Sequence, residues 1–162
     1  MSLSILNYAS MSDLKHELAR MLTNGINDPL VQQMTDSVIA GSPNPILSVF
    51  SFVQETFPYV PDPEDMELFT APKKMAESYF AGAPRGEDCD GMALLTAAMM
   101  GTYYPVRIAL VDSGFCGSVD HAFAEVYSSG LGYWMAVDTV SNLPLGWYVK
   151  NGRKEVVYPY GV

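Results

Sequence analysis

The chain has 162 residues, of which 49% are apolar, 17% are charged and two are cysteines. A chain of this length buries roughly 70% of the surface that its unfolded form exposes, so one domain can hold a full core without metal or disulfide support. We therefore expect a single domain over residues 1–162. Nine basic and eighteen acidic residues give a formal charge of -9, which argues against nucleic acid or an anionic membrane as the main partner.

The N-terminal segment has no features of a secretory leader. Residues 1–16 contain no basic n-region and no apolar core of signal-peptide length, and no apolar run in the chain approaches the roughly eighteen residues of a membrane span. Two cysteines without a C-x-x-C pair do not make a disulfide framework. These features predict a cytoplasmic protein with no membrane partner, and they are also compatible with association with a phage or virion.

Acidic residues are unevenly distributed along the chain. Nine of the eighteen lie between Glu55 and Asp90, whereas Lys15 and Arg20 are the basic residues before Lys73. This distribution predicts one acidic side of the molecule. That side is either a solvated, solubilising face or a surface that selects cationic partners.

Helix-capping residues recur through the first third of the chain, each ahead of apolar residues at helical spacing. They predict three successive helices. The predicted starts and stops are, in chain order, Ser10 or Ser12 to Asn24-Gly25, Asp28-Pro29 to Gly41, and Asn44-Pro45 to the residue before Pro58.

An irregular acidic connection is predicted over residues 58–72, which contain four prolines and four acids. A short helix over residues 73–80 follows. Another helix is predicted over residues 92–100, in which only Thr96 is polar. Because this helix is apolar nearly all round, it should run through the core.

The second half of the chain has the alternation of short β-strands. Asn151-Gly152 is a two-residue hairpin signal, because both central positions of such a turn need positive φ. Helices first and strands later predict an α+β fold with an antiparallel sheet. The predicted strands are residues 106–111, 122–127, 133–137, 146–150 and 153–158.

Cys89 lies where the apolar helix is predicted to begin. Free backbone N–H groups and the helix dipole stabilise a thiolate at that position. Glu87, Asp88 and Asp90 surround the thiol with negative charge, however, and this charge disfavours the anion. Position alone therefore does not activate Cys89, and a base has to supply the activation.

The chain contains two histidines that could act as this base. His16 lies beside Lys15 and Glu17 on the first predicted helix and is expected to face solvent. His121 begins a predicted strand, in which it shares a face with alternate residues through Tyr127. His121 is therefore the candidate.

Asp138 ends the next predicted strand and could hold the second nitrogen of the imidazole. With a four-residue hairpin loop over 128–131, Tyr127 pairs with Gly132 and His121 lies opposite Asp138 on the same face. A five-residue loop ending at Gly132 would turn Asp138 to the other face. The register therefore decides whether the two side chains can meet.

Three pieces of the sequence, in this order, resemble the transglutaminase-like superfamily of papain-fold cysteine enzymes. They are Glu87-Asp-Cys-Asp with its following helix, His121-Ala-Phe-Ala-Glu-Val, and Trp134-Met-Ala-Val-Asp138-Thr. Residues 46–62 look like the family's pre-catalytic helix and aromatic-proline loop, so the resemblance covers roughly residues 45 to 140. The acids and glycine around Cys89 are closer to small microbial or phage members than to large protein-crosslinking enzymes.

The resemblance implies a papain-like/transglutaminase-like fold, with N-terminal helices and a buried central helix packed on an antiparallel sheet. It also implies a cysteine-dependent hydrolase or acyltransferase that acts on a protein or peptide substrate without a cofactor or metal. Cys89 would be the nucleophile, His121 its general base and later acid, and Asp138 the group that orients the imidazole. The Cys89 backbone N–H and one side chain would bind the oxyanion, and Gln54 and Tyr59 are the candidates for that side chain.

Other interpretations of the same residues stay open. Cys89 could be a buried structural thiol, His121 a strand-end residue bonded to backbone, and Asp138 a turn residue. The chain would then be a catalytically inactive transglutaminase-like binding or structural module, such as a phage or assembly component. Cys116 is expected to pack in its loop, with a redox pairing to Cys89 as the alternative. A zinc site from Cys89, Cys116, His121 and Asp138 has suitable ligand types but lacks close ligand pairs.

Overall fold

The computed structural model describes residues 4–5, 10–63 and 68–161. Parts of the N-terminal segment and of the acidic connection, residues 64–67, therefore lie outside the described residues. The elements in chain order are β1 (Ser4–Ile5), α1 (Met11–Asn27), α2 (Pro29–Ile39), α3 (Pro45–Thr56), β2 (Leu68–Phe69), α4 (Pro72–Phe80), α5 (Cys89–Met100), β3 (Val106–Val111), β4 (His121–Ser128), β5 (Tyr133–Val137) and β6 (Lys154–Val157).

The first three helices begin where the sequence predicts. The side chains of Ser10, Asp28 and Asn44 each accept a hydrogen bond from a backbone N–H in the first turn of α1, α2 and α3. Gly41 follows α2 with a φ of 69°, a conformation that glycine adopts without steric cost. These starts were predictable because each cap is a local signal.

The end of α1 differs from the prediction. The helix continues through Gly25 to Asn27 and does not stop at Asn24-Gly25. Gly25 is buried where α4 and α5 approach the helix, and an added Cβ would lie 2.7 Å from Pro72 Cγ and 2.9 Å from Ala98 Cβ. This glycine therefore serves close packing between helices and does not end one.

Replacing Gly25 by alanine is expected to lower the free energy of unfolding by about 1–2 kcal/mol, because the cost of overpacking exceeds the gain in helix propensity. The exposed neighbour Asn24 provides the matched control. Asn24→Ala adds helix propensity without a clash and should raise the same free energy by a few tenths of a kcal/mol. Urea unfolding measures both values, and a Gly25→Ala protein more stable than the wild type would contradict the packing argument.

Helix α5 runs through the core, as its apolar composition predicts. Every residue from Gly91 to Met100 is buried, and the helix packs against α1 and α3 on one side and against β3 and β4 on the other. The N-terminal helices thus cover α5, and α5 covers one face of the sheet. None of the helices in the described ranges is long and apolar enough to cross a membrane.

The main sheet has four antiparallel strands in the order β5-β4-β3-β6. Alternation along β4 separates its two faces, because Ala122 and Ala124 belong to the core cluster around α5 while Phe123 packs with Val111 and Ala136 on the outer face. The predicted α+β architecture, with a buried helix on an antiparallel sheet, is confirmed. A separate two-stranded pair joins β1 to β2.

One predicted strand is wrong. Residues 146–150 form no strand, and a single bridge joins Gly146 to Ala136, with the Gly146 N–H donating to the Ala136 carbonyl at 3.0 Å. The segment crosses the outer face of the sheet, where Val149 packs against the cluster that contains Phe123. Trp147 and Tyr148 are both exposed, so burial along the segment does not alternate as it would in a half-buried strand.

The predicted hairpin at Asn151-Gly152 is also wrong, because β6 pairs with β3. The Gly152 N–H donates to the carbonyl of Asp112 at 2.9 Å. An added Cβ at Gly152 would lie 2.9 Å from Phe115 Cδ1. The glycine thus allows the loop before β4 to pack against the segment that leads into β6.

Candidate active site

Cys89 is the first residue of α5, and the local sequence holds it there. The Asp88 side chain caps the helix, since its Oδ1 accepts hydrogen bonds from the backbone N–H groups of Asp90 and Gly91 at 3.2 and 3.3 Å. Burial of the following helix fixes the position of this first turn. The cysteine therefore lies at a rigid helix start.

The buried carboxylate of Glu87 lies so close to the first turn of α5 that position 91 has no room for a side chain. The Glu87 side chain is 5% exposed and forms an ion pair with Arg85 at 3.2 Å. An added Cβ at Gly91 would lie 2.5 Å from Glu87 Oε2. Burial raises the pKa of Glu87, and its hydrogen bond with Thr70 and the Arg85 charge oppose that rise. The acid next to the capping residue is thus buried and paired, and it is not part of a solvated face.

His121 and Asp138 are brought together by a register that differs from the prediction. Tyr127 pairs with Trp134, and the hairpin loop covers residues 129–132, so the pairing is shifted by two residues from the predicted one. A shift of two keeps every side chain on its face. Asp138, just beyond the end of β5, therefore lies diagonal to His121 and on the same face.

The imidazole of His121 is hydrogen-bonded to Asp138, with 2.7 Å between Nε2 and Oδ2. The other carboxylate oxygen accepts the backbone N–H groups of Val140 and Ser141, each at 3.1 Å. Burial raises the pKa of Asp138, but the hydrogen bond and charge of His121 and the bonds from Ser141 outweigh it, and the net pKa is lowered. An ionised Asp138 accepts a hydrogen from Nε2, so Nδ1 is the nitrogen that can take a proton.

Cys89 and His121 line one cavity of about 520 Å³. The backbone N–H of Ala122, the residue after His121, acts on the Cys89 thiol by lowering its pKa. The cavity wall also includes Tyr59, the carboxylates of Asp62, Asp88, Asp90 and Asp120, the glycine-containing loop before β4 and Arg153. A substrate in this cavity would contact both proposed reactive groups.

The resting thiol of Cys89 is protonated. Burial raises its pKa, the charges of Asp90 and Asp88 raise it further, and the hydrogen bond from Ala122 only partly offsets them. The Sγ also lies 3.8 Å from Asp90 Oδ1, within reach of a weak S–H hydrogen bond. The helix dipole therefore does not produce a thiolate here, as the acidic sequence around Cys89 predicts.

Asp62 and Asp88 form a carboxyl pair beside the thiol, which the sequence reasoning missed. Burial raises the pKa of Asp88 to about 8, with the charge of Asp90 and the charge and hydrogen bond of Asp62 acting in the same direction. Asp62 Oδ2 in turn accepts the Leu68 N–H at 2.7 Å. Because Asp88 retains its proton in neutral solution, this part of the acidic surface carries less charge than the sequence count indicates.

Cys116 does not join this group of side chains. Its thiol is exposed and lies 3.6 Å from Asp112 Oδ1 and 3.4 Å from Ser118 Oγ. Both cysteines are free thiols. In the described part of the chain, no three or more His, Cys, Asp or Glu side chains are arranged to hold a metal ion.

The two candidate oxyanion donors differ in position. Gln54 is exposed on α3 and is not part of the cavity wall, whereas Tyr59 is. Ser141 is a further side chain that the sequence analysis did not select, with its Oγ 3.4 Å from His121 Nε2. Its position three residues after Asp138, in the loop that Asp138 caps, is the signal that could have identified it.

The fold is shared with a solved structure of a cysteine protease candidate. That protein, from Cytophaga hutchinsonii, matches with a TM-score of 0.54 and 16% identity over 88% of this chain and 49% of its own. Legionella pneumophila LapG, EGTA-treated, matches with a TM-score of 0.43 and 15% identity over 83% of this chain and 66% of its own. The chain thus spans about half the length of the first structure. No family model matches the sequence, and no curated protein does. The first match confirms the predicted papain-like/transglutaminase-like α+β fold.

Proposed function

We propose that the protein is a transglutaminase-like cysteine enzyme that transfers the acyl group of an amide or peptide bond through a Cys89 thioester. One observation carries the proposal. The hydrogen bond from His121 Nε2 to Asp138 leaves Nδ1 as the basic nitrogen, on a residue that shares a cavity with Cys89. A nucleophile, a base and a group that orients the base are the parts that acyl transfer needs.

The reaction would start from the neutral thiol. As the Cys89 sulfur bonds to the carbonyl carbon, its proton moves to His121 Nδ1 and the carbonyl oxygen becomes an anion. When this intermediate collapses, the C–N bond breaks and the imidazolium protonates the leaving amine. Water or a second amine then attacks the thioester, gives its proton to Nδ1, and the sulfur leaves and is reprotonated. Asp138 stabilises the imidazolium throughout without being protonated itself.

The location of an acyl adduct tests the proposal. On treatment of the wild-type protein with p-nitrophenyl acetate, we expect a burst of p-nitrophenolate and an acetyl group on Cys89, which peptide mapping by mass spectrometry identifies. Cys116→Ser removes the exposed thiol and is the matched control, in which the burst should remain. Acetylation confined to Cys116, with Cys89 unmodified, would contradict the proposal.

A second candidate function is an inactive binding module with the same fold. The raised pKa of Cys89 and the acidic groups around it favour this candidate. The module predicts an intact cavity and no acylation of Cys89, so the same experiment separates the two functions.

A further inference from the structure

We propose that the Tyr59 hydroxyl donates a hydrogen bond to the oxyanion that forms when Cys89 attacks a carbonyl group. This role rests on the proposed acyl transfer and assigns the side-chain donor that the reaction needs besides the Cys89 backbone N–H. Tyr59 lies on the wall of the cavity that also contains Cys89 and His121.

The backbone places Tyr59 next to the nucleophile. Residues 58–60 run parallel to the segment before α5, with the Glu87 N–H donating to the Pro58 carbonyl at 3.1 Å and the Val60 N–H donating to the Glu87 carbonyl at 2.9 Å. This close approach requires Gly86, where an added Cβ would lie 2.2 Å from Val60 Cγ2. Tyr59 is thus held two residues from Cys89 across a bridge, although the two are thirty positions apart in the chain.

The hydroxyl is protonated and electrostatically coupled to the thiol. Burial raises the pKa of Tyr59, and the charge of Cys89 is the next cause, ahead of those of Asp88 and Asp62. This coupling agrees with the position of both side chains on the wall of one cavity. Because its pKa is raised, the hydroxyl keeps its proton in neutral solution and can donate it in a hydrogen bond.

The Tyr59 hydroxyl also has no competing partner in the described part of the chain. Its side chain is 54% exposed and open to the cavity. The other neutral hydroxyl on the wall, Ser118, lies against Cys116 Sγ at 3.4 Å. Arg153, which also lines the cavity, is paired with Glu155 at 2.7 Å. Tyr59 is therefore the side-chain donor that is free to meet a new acceptor.

The test compares two reactions of Cys89 in the Cys116→Ser protein. Acetylation by p-nitrophenyl acetate passes through an oxyanion, whereas alkylation by iodoacetamide does not. Tyr59→Phe is expected to slow acetylation about 100-fold, the usual cost of losing one oxyanion donor, and to leave alkylation unchanged. Tyr133→Phe is the matched control, because Tyr133 is 53% exposed but is not part of the cavity wall, and it should change neither rate.

Each other outcome overturns the role. Equal losses in both reactions would show that Tyr59 acts on the thiol or on cavity structure and not on the oxyanion. Unchanged acetylation in Tyr59→Phe would show that another group is the donor. If Cys89 is alkylated but never acetylated even with Tyr59 present, the proposed acyl transfer itself fails, and this result is distinguishable from the first two because it does not depend on the variant.

Discussion

Replacing Asp138 by asparagine is expected to slow acylation of Cys89 by about 10⁴-fold, the loss that a forced wrong tautomer produces in the Ser-His-Asp triad of serine proteases. Asparagine has the same shape as aspartate but replaces one of its oxygens by an NH₂ group. The expected loss exceeds that of Asp138→Ala, although alanine removes more atoms.

The two sides of the Asp138 carboxylate explain this order. Oδ1 accepts two backbone N–H groups, from Val140 and Ser141, while Oδ2 accepts one hydrogen from His121. Asparagine has one acceptor oxygen, which two backbone donors hold more strongly than one imidazole does. The NH₂ group therefore faces His121 Nε2 and turns that nitrogen into an acceptor, which places the proton on Nδ1 and removes the base. Alanine leaves the imidazole free to adopt either tautomer.

Acylation rates with p-nitrophenyl acetate measure the two losses. Nitrogen-15 NMR of the His121 ring reports the tautomer directly, with Nδ1 expected to be protonated in Asp138→Asn and unprotonated in the wild type. Near wild-type acylation in Asp138→Asn, or a smaller loss than in Asp138→Ala, would show that the carboxylate does not set the tautomer.

Sequence reasoning was most accurate where the determining interaction is local. The helix starts at Asp28 and Asn44 depend on one side chain and the next few N–H groups, and both lie where predicted. Helix α5 was recognisable because burial on all sides leaves a continuous apolar run in the sequence. Strands β3 and β5 have the predicted bounds, 106–111 and 133–137.

The incorrect predictions concern features that depend on contacts between distant parts of the chain. In the sequence, Asn24-Gly25 has the features of a helix end. In the structure, Gly25 lies inside α1, and a glycine is needed there because Pro72 and Ala98 approach closely. Residues 146–150 were predicted as a strand, but they are joined to the sheet by one bridge at Gly146, and Val149 packs on the sheet face. The predicted pairing of β4 with β5 is two residues out of register. His121 and Asp138 still share a face, because a shift of two residues leaves every side chain on the same face of its strand.

The proximity of Asp62 to Asp88 could not be predicted for a similar reason, because nothing in the sequence places residue 62 beside the start of α5.

The raised pKa of Asp88 affects the stability of the protein. Asp88→Asn is expected to raise the free energy of unfolding by roughly 2–4 kcal/mol at pH 8 and to leave it nearly unchanged at pH 4. Asparagine keeps the capping oxygen for the helix and offers an NH₂ donor to Asp62, without a buried charge.

The sign follows from the pKa of Asp88, which is about 8 in the folded protein and about 3.9 in an unfolded chain. Between these values Asp88 retains a proton in the folded wild type that it releases in the unfolded chain, so the contribution of this group to stability is lost as the pH rises from about 4 to about 8. The pKa values of Cys89 and Tyr59 are raised, and these groups stay protonated over this range. The charges that act on Asp88 are those of Asp62 and Asp90.

Asp28→Asn is the matched control, because Asp28 caps α2 through two similar hydrogen bonds, to the N–H groups of Leu30 and Val31 at 2.9 and 3.2 Å, without the paired carboxyl that Asp88 has. Urea unfolding at both pH values should show a gain at pH 8 for Asp88→Asn alone. A gain of the same size at pH 4, or a loss at pH 8, would show that the folded protein does not retain a proton on Asp88. The charge of Asp88 raises the pKa of Cys89, so Asp88→Asn should be alkylated faster than the wild type by iodoacetamide at pH 8, where Asp88 loses its proton and most strongly opposes the thiolate.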